Sequence, residues 1–237
     1  MRALLEIDVT EARKKIKLNR RSGKKPSFMA WLIKVIADCV AIHPPINGIN
    51  RSGKNKVVVF KDVDVSLVIE KNVKGTRVPL PYVIRKADQK TLYQIHAEIE
   101  AAKSQIPEDE GDYVLGIRRN PTMMKIFTWL PQGLRLVFMR RFVFSKPQRL
   151  KDMMGTVMVT TAGMAGHTRG WIMPLSIHPL SLAFGSLNEQ PVVSGGEIKI
   201  RQILHLTVSV DHDVIDGVPA AKFVDDLVSL IEKGSGL

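Results

Sequence analysis

The sequence predicts an α+β domain of two layers, in which helices pack on a sheet. Three observations predict it: two segments carry the apolar stripe of a helix, several β-branched runs have the length of strands, and consecutive strands follow the helices. The chain has 237 residues, 45% of them hydrophobic, which is enough for one sizeable core. We therefore interpret residues 1–237 as a single domain.

The N-terminal part predicts a strand and two helices. Residues 3–8 are expected to form the strand, and Thr10 is placed to cap a short basic helix that runs to about Lys17. A second helix is predicted from apolar residues at i, i+3, i+4 and i+7, and His43-Pro44-Pro45 ends it. Its apolar stripe consists of Phe28, Trp31, Leu32, Val35, Ile36, Cys39 and Val40.

Cys39 is the single cysteine, so the chain cannot form an intramolecular disulfide, and we expect a reducing, cytoplasmic setting. Its place in the apolar stripe predicts a small buried hydrophobe. The N-terminus has too much early charge for a secretory signal, and no run of about 18 apolar residues predicts a membrane span.

The middle and late parts predict most of the sheet. Three extended segments that should pair antiparallel are expected at residues 56–60, 63–70 and 77–84. A helix is predicted from Thr91 to Lys103, followed by an exposed acidic loop. Further strands are expected at residues 156–160, 180–185 and 197–210. A last helix should run from Pro219, which suits the first helical position, to Glu232.

The composition narrows the classes of partner. The chain has 35 Lys and Arg against 23 Asp and Glu, a formal charge of +12, which favours anionic partners such as a coenzyme A phosphate, nucleic acid or an acidic lipid surface. The basic residues are spread out and no nucleic-acid motif is present, so we expect no nucleic-acid partner. No His/Cys/Asp/Glu cluster has ligand spacing, so we expect no metal.

Residues 113 to about 152 form an insertion-like segment that is both apolar and basic. Lys125, Arg135 and Arg140-Arg141 interrupt its apolar face, and Pro131-Gln-Gly133 divides it into two pieces of helix. We interpret it as a subunit contact or a substrate cap, with peripheral contact to a membrane surface as the less favoured alternative.

The strongest chemical signal is a His-x-x-x-Asp-Gly element at residues 211–217. His212 follows a strand-like run and precedes an amphipathic helix, and an imidazole held there can take a proton from a thiol or hydroxyl. The element and its flanking segments, 206–210 and 218–227, resemble the catalytic domain of 2-oxoacid dehydrogenase acyltransferases and the related chloramphenicol acetyltransferases. The resemblance continues in order through segments 6–10, 27–35, 45–48, 83–88 and 155–163.

The resemblance implies a two-layer chloramphenicol acetyltransferase-like sandwich of mixed sheet and helices, and acyl transfer between coenzyme A and a thiol, hydroxyl or amine acceptor. It implies that His212 is the general base and that Thr160 of the second motif stabilises the oxyanion. Asp216 would fix the turn that presents His212, Gly217 would relieve the backbone there, and Gly163 would close the second motif. Coenzyme A is then a substrate, and a lipoyl group must come from another chain, because no lipoyl domain is present.

The resemblance also implies a homotrimer or larger oligomer whose active sites lie between subunits, with 2-oxoacid dehydrogenase components as partners.

Several residues depart from the family pattern. Serine is usual at position 160, and Asp213 stands where arginine is common, so that carboxylates flank His212 on both sides and favour protonated imidazole. The family's N-terminal helix, with an arginine for Asp216, precedes the first strand and is not found here. The alternative is therefore a non-catalytic scaffold that binds a partner complex or membrane surface.

Overall fold

The computed structural model describes residues 1–21, 26–51, 56–73, 76–104, 129–139, 141, 145–161 and 169–237. Its strands are β1 (Arg2–Asp8), β2 (Gly48–Asn50), β3 (Val57–Val59), β4 (Val65–Val73), β5 (Thr76–Ile84), β6 (Val157–Thr160), β7 (Leu180–Ser194) and β8 (Glu197–Val210). Its α-helices are α1 (Thr10–Arg21), α2 (Phe28–Ile42), α3 (Leu92–Ser104), α4 (Gln132–Phe138), α5 (Pro147–Met154) and α6 (Gly217–Glu232). Short 3₁₀ turns lie at Pro44–Asn47 and Ala87–Gln89.

The main sheet has six strands in the order β1-β8-β7-β6-β4-β5. It is mixed, because β6 runs parallel to both β4 and β7 while the other neighbours are antiparallel. Helices on this mixed sheet confirm the predicted α+β class. One pairing prediction was wrong: β4 and β5 do pair antiparallel, but β3 pairs with β2 in a separate two-stranded sheet. The segment at 56–60 therefore does not extend the main sheet.

The core lies between one face of the main sheet and helices α2, α3 and α6. The predicted stripe of α2 is confirmed, and Trp31 and Ile36 are among its buried residues. Ser27 caps the helix by accepting a hydrogen bond from Ala30 N at 3.1 Å. Phe223 of α6 is fully buried in the same core. These contacts make the helix-covered face the apolar centre of the fold.

Cys39 is buried, as predicted, where α2 meets α6. Its Sγ donates to the carbonyl of Phe223 at 3.7 Å. Burial, followed by the charges of Asp226 and Asp38, raises the pKa of the thiol to about 12. The thiol is therefore protonated at neutral pH, which makes it unreactive.

Two helix starts differ from the sequence prediction. Thr10 does not cap α1, because its Oγ1 accepts from Gln202 N at 2.8 Å, and the Asp8 carboxylate accepts from Thr10 N at 2.9 Å. At the other end of the chain, α6 begins at Gly217, so Pro219 lies inside the first turn instead of at its first position. Both differences arise because tertiary contacts and backbone geometry shift a helix start by one or two residues.

The opposite face of the sheet, which we call the far face, is turned away from α2, α3 and α6. Side chains alternate along strands, and the apolar residues on the helix side assign the others to the far face. These are Met158, Thr160, Ser181, Ala183, His205, Thr207 and Ser209. The far face is thus richer in hydroxyl groups than the helix-covered face.

An irregular segment, residues 169–178, covers part of the far face. Trp171 Nε1 donates to the carbonyl of Leu5 at 2.9 Å, and the Trp171 ring stacks edge-on against His205 with centroids 4.5 Å apart. At Gly185, an added Cβ would lie 2.3 Å from the carbonyl oxygen of Gly170. Only glycine therefore allows this segment to approach β7 so closely.

A partly buried ion pair holds the start of β4 against α5. The Asp64 carboxylate accepts from Arg85 Nη1 at 2.9 Å and from Lys86 N at 2.9 Å, and Arg85 also donates to the carbonyl of Lys151 at 2.8 Å. In the same turn, Asp88 Oδ1 accepts from Val63 N at 3.0 Å. Residues 83–88, which carry part of the family resemblance, therefore have a structural role.

Candidate active site at the end of the sheet

His212 lies in a tight turn that leaves β8 and leads into α6. Val214 N donates to the carbonyl of Asp211 at 3.1 Å, and Asp211 N donates to the carbonyl of Pro179 at 2.8 Å. Ile215 anchors the other side of the turn in the core, where it is 5% exposed. The turn is fixed at both ends while His212 itself is exposed, so the imidazole is presented outward.

Of the two carboxylates that flank His212, that of Asp211 is held within its own turn. Asp211 Oδ1 accepts from Asp213 N at 3.0 Å, which commits that carboxylate to its own turn. Among the described residues, the His212 ring makes no hydrogen bond within its own chain. Both ring nitrogens are therefore left free by the part of the chain that the structure describes.

The predicted supports of this turn are only partly present. Asp216 is the N-cap residue of α6, but its exposed carboxylate makes no capping hydrogen bond. Its carbonyl accepts from Ala220 N at 3.1 Å, so the backbone continues the helix without the side chain. Gly217 does not relieve the backbone, contrary to expectation, because it begins a regular helix and an added Cβ would meet only Met1 Sδ, at 3.8 Å.

Thr160 ends β6 on the far face and is half-buried. The strand that carries it begins after Gly155, whose φ of +78° and close approach to the Asp64 carbonyl, 2.7 Å from an ideal Cβ, both require glycine. Gly163, the other glycine of this motif, lies outside the described residues. Thr160 therefore has a well-defined backbone position at the edge of the part that the structure describes.

Within one chain, His212 and Thr160 are far apart. Val157, Leu180 and Val210 form one row across the sheet, and His212 lies beyond this row. Thr160 lies about 10 Å away from the row in the opposite direction, and β7 separates β6 from β8, which adds about 9 to 10 Å across the sheet. The two side chains therefore cannot contact the same reacting atom unless they come from different copies of the chain.

A cleft of about 520 Å³ opens beside the His212 turn. Its apolar wall is formed by Leu150, Met154, Leu175 and Ile177, and its polar wall by Arg2, Ser176, His178, Ser181, Ser209 and Asp211. This volume is within the range of small-molecule sites. The cleft thus provides a place for part of a substrate next to the candidate base.

His178 joins the two walls of this cleft. Its Nε2 lies 2.8 Å from the carbonyl of Met154, which can only accept, so Nε2 carries the proton and Nδ1 accepts from Ser176 Oγ at 2.8 Å. Burial lowers the pKa of His178, although its bond to the Met154 carbonyl partly opposes this effect. The ring is therefore a structural group whose two nitrogens are both hydrogen-bonded.

The hydroxyl groups near the cleft were not predicted from the sequence. Within the described residues, Thr207 Oγ1 and Ser209 Oγ are buried without a hydrogen-bond partner, and Ser209 lines the cleft. Alternating hydroxyl residues in the otherwise apolar run 206–210 were the available signal. Unpaired buried hydroxyls are costly, so Ser209 is available to a ligand in the cleft, whereas Thr207 is fully buried and does not reach it.

A family model for the 2-oxoacid dehydrogenases acyltransferase (catalytic domain) matches residues 3–110 and 145–237. The chain belongs to this family. The unmatched residues 111–144 coincide with most of the insertion-like segment. The resemblance to the acyltransferase family is thereby confirmed.

One curated relative and two solved structures illustrate the similarity. The dihydrolipoyllysine-residue acetyltransferase component of the pyruvate dehydrogenase complex of Mycoplasma pneumoniae is 26% identical over 88% of this chain and 42% of its own length. The chain thus spans less than half the length of this curated relative. A probable dihydrolipoamide acetyltransferase from Listeria monocytogenes has a TM-score of 0.67 at 19% identity, covering 99% of this chain and 85% of its own. A chloramphenicol acetyltransferase has a TM-score of 0.53 at 12% identity, covering 99% and 87%. These structures confirm the predicted fold.

The part of the chain that the structure describes contains no group of three or more His, Cys, Asp or Glu side chains placed to hold a metal ion. In the same described ranges, no helix combines the length and the hydropathy needed to cross a bilayer.

Proposed function

We propose that this chain transfers an acyl group between coenzyme A and a thiol acceptor of the dihydrolipoyl type, with His212 as the general base. The observation that carries the proposal is the His212 turn, which carries the family-like motif and presents outward, beside a cleft, an imidazole that no described residue binds. The lipoyl group would be carried by another chain, a component of a 2-oxoacid dehydrogenase complex.

In the proposed reaction, His212 accepts the proton of the attacking thiol. The sulfur attacks the thioester carbonyl and forms a tetrahedral intermediate, whose oxyanion accepts a hydrogen bond from the hydroxyl of Thr160. Collapse of the intermediate breaks the original carbon–sulfur bond. The leaving thiolate then takes the proton back from His212, so the imidazole returns to its neutral form.

We propose further that the active site forms between subunits of a trimer or a larger oligomer. The separation of His212 from Thr160 within one chain supports this proposal, since neither side chain can complete the site alone. Exposed apolar residues on the segment over the far face also support it. Leu175 is 91% exposed and Ile177 71% exposed, and both line the cleft beside the base. We also propose that residues 1–237 form one catalytic domain. We propose that the protein acts in the cytoplasm.

The decisive experiment measures thiol release from a panel of acyl-coenzyme A donors, with dihydrolipoamide and with hydroxyl and amine acceptors. His212→Ala should lower the rate about 10² to 10⁴-fold while the oligomer remains intact. His96→Ala is the matched control, because His96 lies on α3, away from the site, and should keep its activity. Cys39 is buried, so the protein adds little background to a thiol assay.

Mixing two inactive variants tests the site between subunits. Thr160→Val should lose about 10² to 10³-fold in rate, because the oxyanion donor is removed, whereas Thr160→Ser should keep its activity. When His212→Ala and Thr160→Val subunits are refolded together, about a quarter of the sites should combine an intact His212 with an intact Thr160. Failure to recover activity would contradict shared sites. No turnover by a folded wild-type oligomer would favour the scaffold alternative.

A further inference from the structure

Three polar residues lie side by side along one wall of the cleft beside the His212 turn. Arg2 of β1 pairs with Ser209 of β8, and Ser209 pairs with Ser181 of β7. Residues directly opposite one another in antiparallel strands share a face of the sheet, and all three line the cleft. The sheet register thus places a guanidinium group beside two hydroxyl groups.

This row of side chains can donate hydrogen bonds to a ligand. Ser209 Oγ is buried and has no hydrogen-bond partner among the described residues. Over the same part of the chain, Arg2 forms no ion pair, and its Nη1 donates to Met173 Sδ at 3.9 Å, a weak acceptor. A guanidinium has five donors and no acceptor. The row therefore combines a positive charge with several donors, which is the arrangement that binds a carboxylate.

The acidic residue of the cleft lies toward the opposite end of this row. Asp211 follows Ser209 by two residues, about 7 Å of extended chain, and its Oδ1 is bonded to Asp213 N. A ligand carboxylate paired with Arg2 would lie about 2.8 Å from the guanidinium. Because the electrostatic energy falls with distance, attraction to Arg2 would outweigh repulsion by Asp211.

The position of the row relative to His212 indicates which part of a substrate reaches it. Ser209 lies three residues before His212, which is at most about 10 Å of extended chain. The reacting atoms lie about 3 to 3.5 Å from the base, so roughly 6 to 7 Å separates the thioester carbon from the row. A short dicarboxylic acyl chain spans this distance. The phosphates of coenzyme A lie at the far end of the pantetheine arm from the thioester, too distant to occupy the same place.

We propose that the cleft selects acyl groups that end in a carboxylate, such as succinyl or glutaryl, with Arg2 and Ser209 as specificity-determining residues. The inference rests on the proposed acyl transfer, because it uses His212 to place the thioester. Arg2 pairs with the carboxylate, Ser209 donates a hydrogen bond to it, and the apolar wall of the cleft contacts the methylene carbons. An acetyl group is too short to reach the row, so it leaves Ser209 without a partner.

Binding measurements test this selectivity without requiring turnover. By isothermal titration calorimetry, the full chain should bind succinyl-coenzyme A at least about 10-fold more tightly than acetyl-coenzyme A, since a hydrogen bond to a charged group contributes this much. Arg2→Leu should lower the succinyl-to-acetyl affinity ratio by at least about 10-fold, and Ser209→Ala by about 5-fold or more. Arg2→Lys should retain part of the ratio, because it keeps the charge but loses the planar fork of donors.

Lys199→Leu is the matched control. It removes one positive charge from the same strand, β8, at a position ten residues from Ser209 and about 33 Å away along the strand. The ratio should be unchanged in this variant. Thermal melts should show that Arg2→Leu is folded, because Arg2 is exposed at the start of β1. The ratio of kcat/KM for the two donors, with dihydrolipoamide as acceptor, gives a second measure of the selectivity.

Three outcomes would overturn the inference. The first is equal affinity of the wild type for succinyl- and acetyl-coenzyme A, which would leave acyl transfer itself intact. The second is an equal loss of affinity for both donors and for free coenzyme A in Arg2→Leu, which would assign Arg2 to the coenzyme. The third is a preference for dihydrolipoate over dihydrolipoamide that Arg2→Leu removes, which would place the carboxylate on the acceptor.

Failure of the proposed function would look different. A folded protein that binds succinyl-coenzyme A selectively, through Arg2, but transfers no acyl group would contradict the acyltransferase reaction and still support the selectivity of the cleft.

Discussion

The two faces of the six-stranded sheet differ in what covers them. Side chains from α2, α3 and α6 cover one face with a continuous apolar core, in which Phe223 and Trp31 are almost fully buried. The far face bears Thr160, Thr207 and Ser209, and an irregular segment covers only part of it. The helix-covered face thus holds the main apolar core, while the far face carries hydroxyl groups without a partner among the described residues, of which Ser209 lines the cleft.

The sharpest test of this division compares two apolar residues. Phe223→Ala should lower the free energy of unfolding by about 3 to 5 kcal/mol, because it leaves a cavity in the helix-covered core. Leu175→Ala should change it by no more than about 0.5 kcal/mol, because Leu175 is 91% exposed on the segment over the far face. Urea denaturation followed by circular dichroism, at low protein concentration, measures both. Similar losses in the two variants would contradict the division.

Substitution of Asp64 should affect both stability and acyl transfer, unlike the two substitutions above. Its carboxylate is 5% exposed and pairs with Arg85, and its carbonyl accepts from Thr156 N and Val157 N at the start of the strand that carries Thr160. Asp64→Ala should cost about 2 to 3 kcal/mol of stability, less than a fully buried pair, because Arg85 is 38% exposed. It should also reduce acyl transfer, because the carboxylate's bonds to Arg85 and Lys86 N hold in place the backbone of Asp64, whose carbonyl bonds the start of β6.

Asp38→Ala is the matched control for this prediction. Asp38 pairs with Lys34 one turn away on α2, and its side chain is 45% exposed. Exposed pairs of this kind contribute at most about 0.5 kcal/mol. If Asp38→Ala destabilised the chain as much as Asp64→Ala, burial would not explain the importance of Asp64. Denaturation curves and the thiol-release assay together distinguish the two.

The smallest expected effect is a pH dependence from the cleft. Burial lowers the pKa of His178 below its ordinary value of 6.5, so between 6.5 and the lower value the unfolded chain binds a proton that the folded chain does not. The free energy of unfolding should therefore fall as the pH is lowered through this window. Above the window His178 is neutral in both states and should add no pH dependence. His178→Gln should remove this part of the slope, which denaturation at several pH values measures. An unchanged slope in the variant would contradict the assignment.

Local sequence patterns predicted the helices well, because their apolar spacing repeats over several turns. The stripe of α2, its end before Pro44 and the span of β8 at 197–210 follow directly from such patterns. Pairing between strands that are distant in the sequence was harder to predict. Nothing local to Val157–Thr160 indicates that β6 inserts in parallel between β4 and β7, or that residues 57–59 pair with Gly48–Asn50 instead.

The candidate site shows the same limit. The motif around His212 suggested a base from its neighbours in sequence, and the resemblance suggested Thr160 as the oxyanion donor; both roles stay predictions. The separation of the two depends on sheet order and register, which the sequence pattern does not contain. The cleft residues Arg2, Ser176 and Ser209 were missed for the same reason, since they come from three distant parts of the chain.

The burial of Cys39 has a consequence for measuring motion in this protein. The single thiol is enclosed between α2 and α6, with Sγ bonded to the Phe223 carbonyl, so a thiol reagent can modify it only when these helices separate. Under native conditions, the rate of modification therefore reports how often the core opens. Comparing that rate with and without acyl-coenzyme A would show whether a ligand on the far face slows the transient separation of α2 and α6 on the other side of the sheet.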